Sequence, residues 1–425
     1  MERIISYNKE RISIVSDSPI SVEFKSGTNT LLVGKEFETI SNSELINDWI
    51  VWDGKLQLKN SPISPLKLRI AFISNYGQNC GISTYSEKLY NAIIPLIGDC
   101  KIFAEGPSNL TDPLNVIRCW NRGESTNNLV TQIHQYDPDI ILIQHEYGLW
   151  NDAKIWLSLL TKLSKYKVYV ILHSVYESHD DKTICESAIK NIIVHTNIAY
   201  ECLKKKGLTS NIFLVPHGCD DLYTGHRPWN MYKSENTIVQ FGFGFRYKGW
   251  ENSLKVIAEL KKDYPDIFFT GIFNQSEFSM SMHNEYFNSL LELIDTLNIG
   301  DNVGFIRNFI NKDILMKTLC MNRLALFPYI DNGIHTVFGC SGASREALTA
   351  KIPVIVSTAP LFDDIQDICP RCANIEEIVN QCKLLLNNQQ IYKAQVEKQN
   401  KFVIKNSWNN SAKLIVALFQ NFRQH

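Results

Sequence analysis

Leu66–Ile93 reads LKLRIAFISNYGQNCGISTYSEKLYNAI. Its first eight residues, Leu66 to Ile73, are mostly apolar, as a strand buried on both faces is. Asn75 to Gly81 is a polar, glycine-containing loop. Ile82, Tyr85, Leu89 and Ile93 then recur at helical spacing, which predicts an amphipathic helix. A buried strand, a polar loop and a one-faced helix make the repeating unit of a parallel α/β sheet.

The same alternation continues on either side of a Pro- and Trp-containing break at Gly225 to Ser234. Before it, strands are expected at Lys101 to Ala104, Asp139 to Gln144, Lys167 to Leu172, Asn191 to Val194 and Asn211 to Val215. After it, strands are expected at Thr237 to Phe241, Ile267 to Thr270, Asn302 to Phe305, Leu324 to Phe327 and Pro353 to Val356. Trp250 to Leu260, Asn284 to Leu297, Lys312 to Cys320 and Ala343 to Ala350 read as the helices between them. Two doubly wound sheets follow, over 66–217 and 235–405, with a closing helical segment at 406–425. The first 65 residues differ. Short β-like runs (RISIV, ISVEF, NTLLVG, WIVW) broken by Ser, Gly, Asn and Pro predict a small β-rich appendage over 1–65.

Composition narrows the function. A formal net charge of −1 supplies no field to gather nucleic acid or an anionic membrane. The opening MERIISYNKE lacks the apolar core of a secretion signal, and no apolar run reaches the roughly 18 residues of a membrane span. Eleven cysteines, an odd number scattered through a long chain, suit reduced thiols. A cytoplasmic protein without an integral membrane span is therefore expected. Cys369-Pro370-Arg371-Cys372 has no second pair and no nearby His to complete a zinc site.

In open parallel sheets, ligands bind beyond the carboxyl ends of the strands. The first strand delivers Asn79-Cys80-Gly81-Ile82 at a helix start, where a glycine lets backbone approach a ligand and free amides favour an anion. A plain tight turn explains that loop equally well. Other strands end at His145-Glu146, His173-Ser174, His195-Thr196 and Pro216-His217-Gly218. Four of the ten histidines at one sheet edge point to a polar cleft; His145 and Glu146, with Tyr85, are placed on its acceptor side. In the second half, Phe241-Gly242-Phe243-Gly244-Phe245-Arg246-Tyr247-Lys248-Gly249 is no dinucleotide fingerprint, since Tyr247 fills the third glycine position. It sets Arg246 and Lys248 near the mouth of the sheet, suited to a diphosphate. Phe338 to Leu348 brings the small residues Ser341, Gly342 and Ala343 to a helix start, with Glu346 one turn in. Glu346 reads either as an acceptor for ribose hydroxyls or as a helix-start acid favoured by the dipole, its place between two strands tilting toward the first. Asp137-Pro138-Asp139 spells a metal-binding Asp-x-Asp, but it precedes its strand at the opposite edge and reads as a turn. No metal is assigned.

Together these residues resemble the GT-B glycosyltransferases, in particular the large retaining family four, over about residues 66–422. Gly81 matches the family's glycine loop, and His173 falls where the family places a His near the transferred sugar. Val215-Pro216-His217-Gly218 is similar to the family's crossover, Lys248-Gly249 to its diphosphate lysine, and Phe327-Pro328-Tyr329 to a characteristic strand end. Glu346-Ala347-Leu348 through Pro353-Val354-Ile355 resembles its ribose glutamate and following strand, and Ser407-Trp408 its C-terminal helix, which returns to the N-terminal domain. Two positions depart: Phe338 stands where a first glutamate is common, and Phe243 where an arginine often precedes the lysine.

The resemblance implies transfer of a sugar from a nucleoside diphosphate sugar, with retention and without metal or other cofactor. Lys248, Arg246 and the Ser341-Gly342-Ala343 helix start would stabilise the departing diphosphate, while His173 orients the sugar. The acceptor stays open: a glycan, a lipid-linked acceptor or a protein before nucleic acid. Other readings are a catalytically silent nucleotide-sugar binder, which Phe338 and Phe243 favour, or another GT-B enzyme. A nucleotide-sugar epimerase would need acid–base carboxylates, with Glu146 the obvious candidate. A phosphorylase would need a pyridoxal lysine, for which there is no motif.

Overall fold

The computed structural model describes residues 66–107, 112–177, 189–208, 210–224, 236–275, 279–331 and 336–420, and the backbone of seven short strands before them. The break at 225–235 that separates the two sheets in sequence lies outside the described residues.

Those seven strands are β1 (Glu2–Tyr7), β2 (Glu10–Val15), β3 (Ile20–Phe24), β4 (Thr30–Val33), β5 (Glu44–Ile46), β6 (Trp49–Val51) and β7 (Leu56–Leu58). Five form an antiparallel sheet in the order β1-β2-β3-β4-β7, and β5 and β6 pair as a hairpin. With segments 93–98 and 413–420 they make one compact unit; residues 68–92 and 99–412 make the other.

The larger unit holds two parallel sheets. The first uses β8 (Leu66–Ser74), β9 (Ile97–Glu105), β10 (Val116–Trp120), β11 (Ile140–His145), β12 (Lys167–Leu172), β14 (Asn191–Val194) and β15 (Asn211–Leu214). They lie in the order β10-β9-β8-β11-β12-β14-β15. The second uses β16 (Thr237–Phe243), β17 (Phe268–Asn274), β18 (Val303–Ile306), β19 (Leu324–Phe327), β21 (Val354–Ser357) and β22 (Arg371–Cys372), in the order β18-β17-β16-β19-β21-β22. Each sheet starts at its middle, winds outward one way and then returns to wind the other. The reversal falls between β8 and β11 in one sheet and between β16 and β19 in the other, and such switch points open a crevice above the strand ends.

Among the described residues eleven helices accompany these strands: α1 (Gly81–Ile93), α2 (Asn127–Tyr136), α3 (Ala153–Lys162), α4 (Asn197–Lys205), α5 (Trp250–Lys261), α6 (Met280–Thr296), α7 (Lys312–Cys320), α8 (Gly342–Thr349), α9 (Ile375–Asn387), α10 (Gln389–Lys405) and α11 (Trp408–Gln420). Every residue of β11, β14, β19 and β21 is buried, as strands covered on both faces must be. The strands expected in the two sheets lie within a few residues of those observed. The reading missed β10, whose short VIRCW run sits between polar loops, the two-residue β22, and the pair β13 (Ser174–Tyr176) and β20 (Val337–Gly339).

That pair matters because its strands come from different halves. β13 follows the first sheet's β12, β20 precedes the second sheet's α8, and the two run antiparallel with Val175 opposite Phe338. A Cβ at Gly339 would meet the His173 carbonyl oxygen at 2.5 Å, so only glycine lets the strands lie this close. Phe338 is 9% exposed and packs in the first half's apolar core, with Val175, Leu172 and Ile143.

The crossover is tied down at the other end of the chain. Cys219 N–H donates to Asn406 O at 2.7 Å, and Trp408 N–H to Cys219 O at 3.1 Å. The Trp408 indole donates to Asp220 Oδ1 at 2.8 Å, and Ser411 Oγ to Pro216 O at 2.8 Å.

Candidate functional site

The second sheet's switch point gathers most of the sequence candidates. After β16 the chain makes a single turn over Arg246–Lys248 and reaches Gly249, whose φ of 67° places it in the left-handed region. A side chain there would also strike the Pro328 carbonyl oxygen, so glycine is required twice over. Gln240 Nε2–H fixes the turn by donating to Lys248 O at 2.8 Å, and Ser253 Oγ–H holds Gln240 Oε1 at 2.6 Å.

This turn aims Lys248 across the switch. Its ammonium donates to Tyr329 Oη at 2.9 Å and lies 4.0 Å from that ring's centroid. Tyr329 Oη lies 2.9 Å from Ser341 Oγ, and Ser341 Oγ accepts the Ser344 N–H at 3.3 Å as the N-cap of α8. The phenol oxygen accepts from Lys248 and shares one hydrogen bond with the Ser341 hydroxyl, in which either oxygen can donate. One hydrogen-bonded chain thus joins the end of β16, the end of β19 and the start of α8. No carboxylate pairs with Lys248 among the described residues, so its charge stays available to an anion. Gly342 is exposed at the first helical position and Ala343 half-buried at the second, which leaves early amides of α8 open.

Arg246 turns another way. It is exposed, pairs with Glu251 Oε1 at 3.6 Å and lies over Tyr286 at 4.7 Å. Glu346 is ion-paired on both carboxylate oxygens, to Lys88 through Oε1 and to Lys312 through Oε2.

The first sheet's edge is built differently. Tyr85, buried on α1, is ringed by His173 at 4.5 Å, His217 at 5.1 Å, His195 at 5.3 Å and Trp408 at 5.0 Å between ring centroids. His173 Nε2–H donates to Gln144 Oε1 at 2.8 Å, which leaves Nδ1 as an acceptor. His195 and His217 donate through Nδ1–H to Val215 O and Gly218 O, at 2.8 and 2.7 Å. Burial pushes all three toward the neutral form, His195 down to about 4 and the others well below the usual imidazole value. The neighbouring histidines add to this for His173, and the Arg345 charge adds to it for His195 and His217.

His145 closes β11 rather than following it. It is 1% exposed and lies against Trp156 and Tyr147, with no hydrogen bond to either ring nitrogen. Burial holds it down to about 3. Glu146 is half-buried beside it; Oε2 accepts from Ser174 Oγ at 2.7 Å and Oε1 from Tyr147 N–H at 3.1 Å. Burial raises its carboxyl to about 7, and the Ser174 bond only partly offsets that. Gly81 opens α1 with free space where a side chain would stand.

Several site residues had no sequence signal. Tyr329 read only as part of a strand end, yet it carries the contact between Lys248 and Ser341. Arg345 is 2% exposed, ion-paired with Asp364, and braces the cap by donating to Ser341 O at 3.3 Å. Asp137 and Asp139 are occupied by the turn into β11: Arg69 N–H donates to Asp139 Oδ2 at 2.8 Å and its guanidinium to Asp137 O at 3.3 Å. The described residues contain no group of three or more His, Cys, Asp or Glu able to hold a metal, and no helix among them is long and apolar enough to cross a membrane. The ten described cysteines are all free thiols, Cys369 and Cys372 included.

No protein-family profile and no curated protein sequence matches the chain. Solved structures do. Sucrose-phosphate synthase from Thermosynechococcus elongatus superposes with a TM-score of 0.66 at 14% identity, over 84% of this chain and 100% of that one. HepE from Anabaena, solved with UDP-glucose, gives 0.64 at 12% identity, over 84% and 100%. Trehalose-6-phosphate synthase from E. coli, bound with UDP-2-fluoro glucose, gives 0.62 at 12% identity, over 83% and 99%. This shows the fold: two Rossmann-like domains in the GT-B arrangement, preceded here by the β-rich appendage.

Proposed function

We propose that this chain is a metal-independent glycosyltransferase that moves a sugar from a nucleoside diphosphate sugar to an acceptor hydroxyl with retention. The observation that carries the reading is the Lys248–Tyr329–Ser341 chain across the second switch point, where an open parallel sheet binds its ligand. The GT-B structures solved with UDP-glucose and UDP-2-fluoro glucose support the same donor class.

The chemistry follows from charge. As the bond from the anomeric carbon to phosphate oxygen breaks, negative charge grows on the diphosphate. The Lys248 ammonium and the first amides of α8 meet that charge, preorganised by the Tyr329 and Ser341 contacts. Glu346 accepts from the ribose, and Gly81 leaves room for the donor sugar. His173, neutral and with Nδ1 unprotonated, accepts from a sugar hydroxyl; it orients rather than protonates. Arg246 serves as an outlying cation at the diphosphate once it leaves Glu251. Tyr85, His145 and Glu146 shape the acceptor side. The transfer needs no cofactor, and the protein acts in the cytoplasm.

Phe338 favours a second reading. The side chain in the place of the family's first glutamate is packed into the other half's core, so it is withdrawn from any sugar. A nucleotide-sugar binder without turnover fits that observation. Thermal shift against a panel of nucleoside diphosphate sugars, followed by donor consumption with and without EDTA, separates the readings. Stabilisation by one donor and EDTA-resistant consumption are expected. Stabilisation without consumption across a broad acceptor panel selects the silent binder, and consumption that needs manganese removes the metal-free assignment.

A further inference from the structure

Lys88 stands on α1 next to the buried Leu89, and nothing in its local sequence marks it. Its ammonium nevertheless pairs with Glu346 Oε1 in the second half, and with Asp220 Oδ2 at 2.9 Å. Lys312, the first residue of α7, pairs with the same Asp220 oxygen at 2.5 Å and with Glu346 Oε2. Four charges from four separate segments close into a ring of zero net charge. Three of its members are shielded, Glu346 at 14% exposed and Lys88 and Asp220 at 21% each, while Lys312 is 39% exposed. Burial works against the Asp220 charge, but the two ammoniums outweigh it and hold the carboxyl below its usual range. Burial, together with the Lys88 charge, pushes Lys312 down to about 8.

We infer that Lys88 and Lys312 are positioning residues for the donor's ribose, acting through Glu346. An ionised carboxylate offers about four lone-pair directions, two on each oxygen. One ammonium on each oxygen fixes the plane of the carboxylate and leaves a direction on each oxygen for a vicinal pair of hydroxyls. Lys88 belongs to the first half, so the ribose site is completed by both halves of the chain. The inference rests on the reading of Glu346 as the ribose acceptor.

The test pairs each substitution with removal of the sugar hydroxyls. Affinities for UDP and 2′,3′-dideoxy-UDP, with the ADP and GDP pairs in parallel, are measured by calorimetry for wild type, Lys88→Met and Lys312→Met. If the lysines act through Glu346, each substitution weakens the ribonucleotide by about tenfold and the dideoxynucleotide by less than about twofold. Lys88→Arg, which keeps the charge and a donor, recovers most of the loss. A structural or purely electrostatic role would weaken both nucleotides equally, and that outcome, or no loss at all, overturns the inference while the donor-site reading stands. Should Lys88→Met fail to fold, Lys88→Gln gives the same comparison. A wild type that binds no nucleoside diphosphate removes the donor-site reading itself, and this inference with it.

Discussion

The two switch points have the same topology and opposite chemistry. At the first, three neutral histidines surround a buried tyrosine, and a fourth is packed against tryptophan. At the second, an ammonium with no carboxylate partner among the described residues is held by a tyrosine and a serine at a helix start. One edge offers shape and neutral hydrogen-bonding groups; the other offers charge. The proposed transfer calls for such a division, because its acceptor would be an alcohol to orient and its leaving group an anion to stabilise.

The largest expected effect breaks the charged side. Lys248→Ala removes the cation and leaves Tyr329 with an unused acceptor. Turnover of the donor should fall by about 10²–10³, the usual loss for one stabilising donor, with a smaller loss in nucleotide affinity. A fall in kcat/KM no larger than the fall in affinity would mean that Lys248 grips ground state and transition state alike.

The next effect tests the strand pair that links the halves. Phe338→Ala opens a cavity in the first half's core and should cost about 3 kcal/mol in urea unfolding, the low end for a buried phenylalanine. A loss within about 0.5 kcal/mol would place Phe338 outside that core.

These first two residues show what a sequence can and cannot carry. Lys248 was legible because a strand, a glycine turn and a basic residue are contiguous. Phe338 was legible only as a missing glutamate: its partner Val175 lies far back in the chain, and pairing across such a distance leaves no local pattern. Lys88 was hidden in the same way, on a helix whose spacing announced only its apolar face, Tyr85 and Leu89. The histidines were read as a polar edge because imidazole is polar. Parallel strands deliver their carboxyl ends to one edge, where Tyr85 of α1 and Trp408 pack against the rings; His145 and His195 are buried there and His173 and His217 half-buried. The sheets themselves were plain, since strands buried on both faces are continuous apolar runs.

A third, smaller effect appears on acidification. His145 is neutral in the fold and protonates only near pH 3, whereas an unfolded imidazole protonates near 6.5. The unfolded chain therefore binds more protons between those values, and stability falls as pH drops through that window. His145→Phe removes this dependence along with two unpaired ring nitrogens, so the acid unfolding midpoint should move to lower pH. Glu146 works in the opposite sense. Its folded value of about 7 lies above the ordinary 4.5, so the fold loses stability as pH rises between them. Glu146→Gln should flatten that decline. An unchanged pH profile in both variants would mean that neither group is desolvated by folding.

The smallest effect is expected from the appendage. Removing residues 1–65 should leave nucleotide affinity at the wild-type value, provided the truncated chain folds, because the proposed donor-site residues all lie between 81 and 346. Loss of nucleotide binding in a folded truncation would move the donor site's boundary.

The central claim, that the second switch point holds a nucleoside diphosphate sugar, meets its most direct test in calorimetry of wild type and Glu346→Gln. The substitution keeps the shape of the side chain and removes its charge. Wild type should bind both a nucleoside diphosphate and its sugar conjugate, and the variant should bind both more weakly by a similar factor, about 1.5–3 kcal/mol for a hydrogen bond to a charged group. Absence of binding in wild type, or a variant that binds both ligands as wild type does, would contradict it.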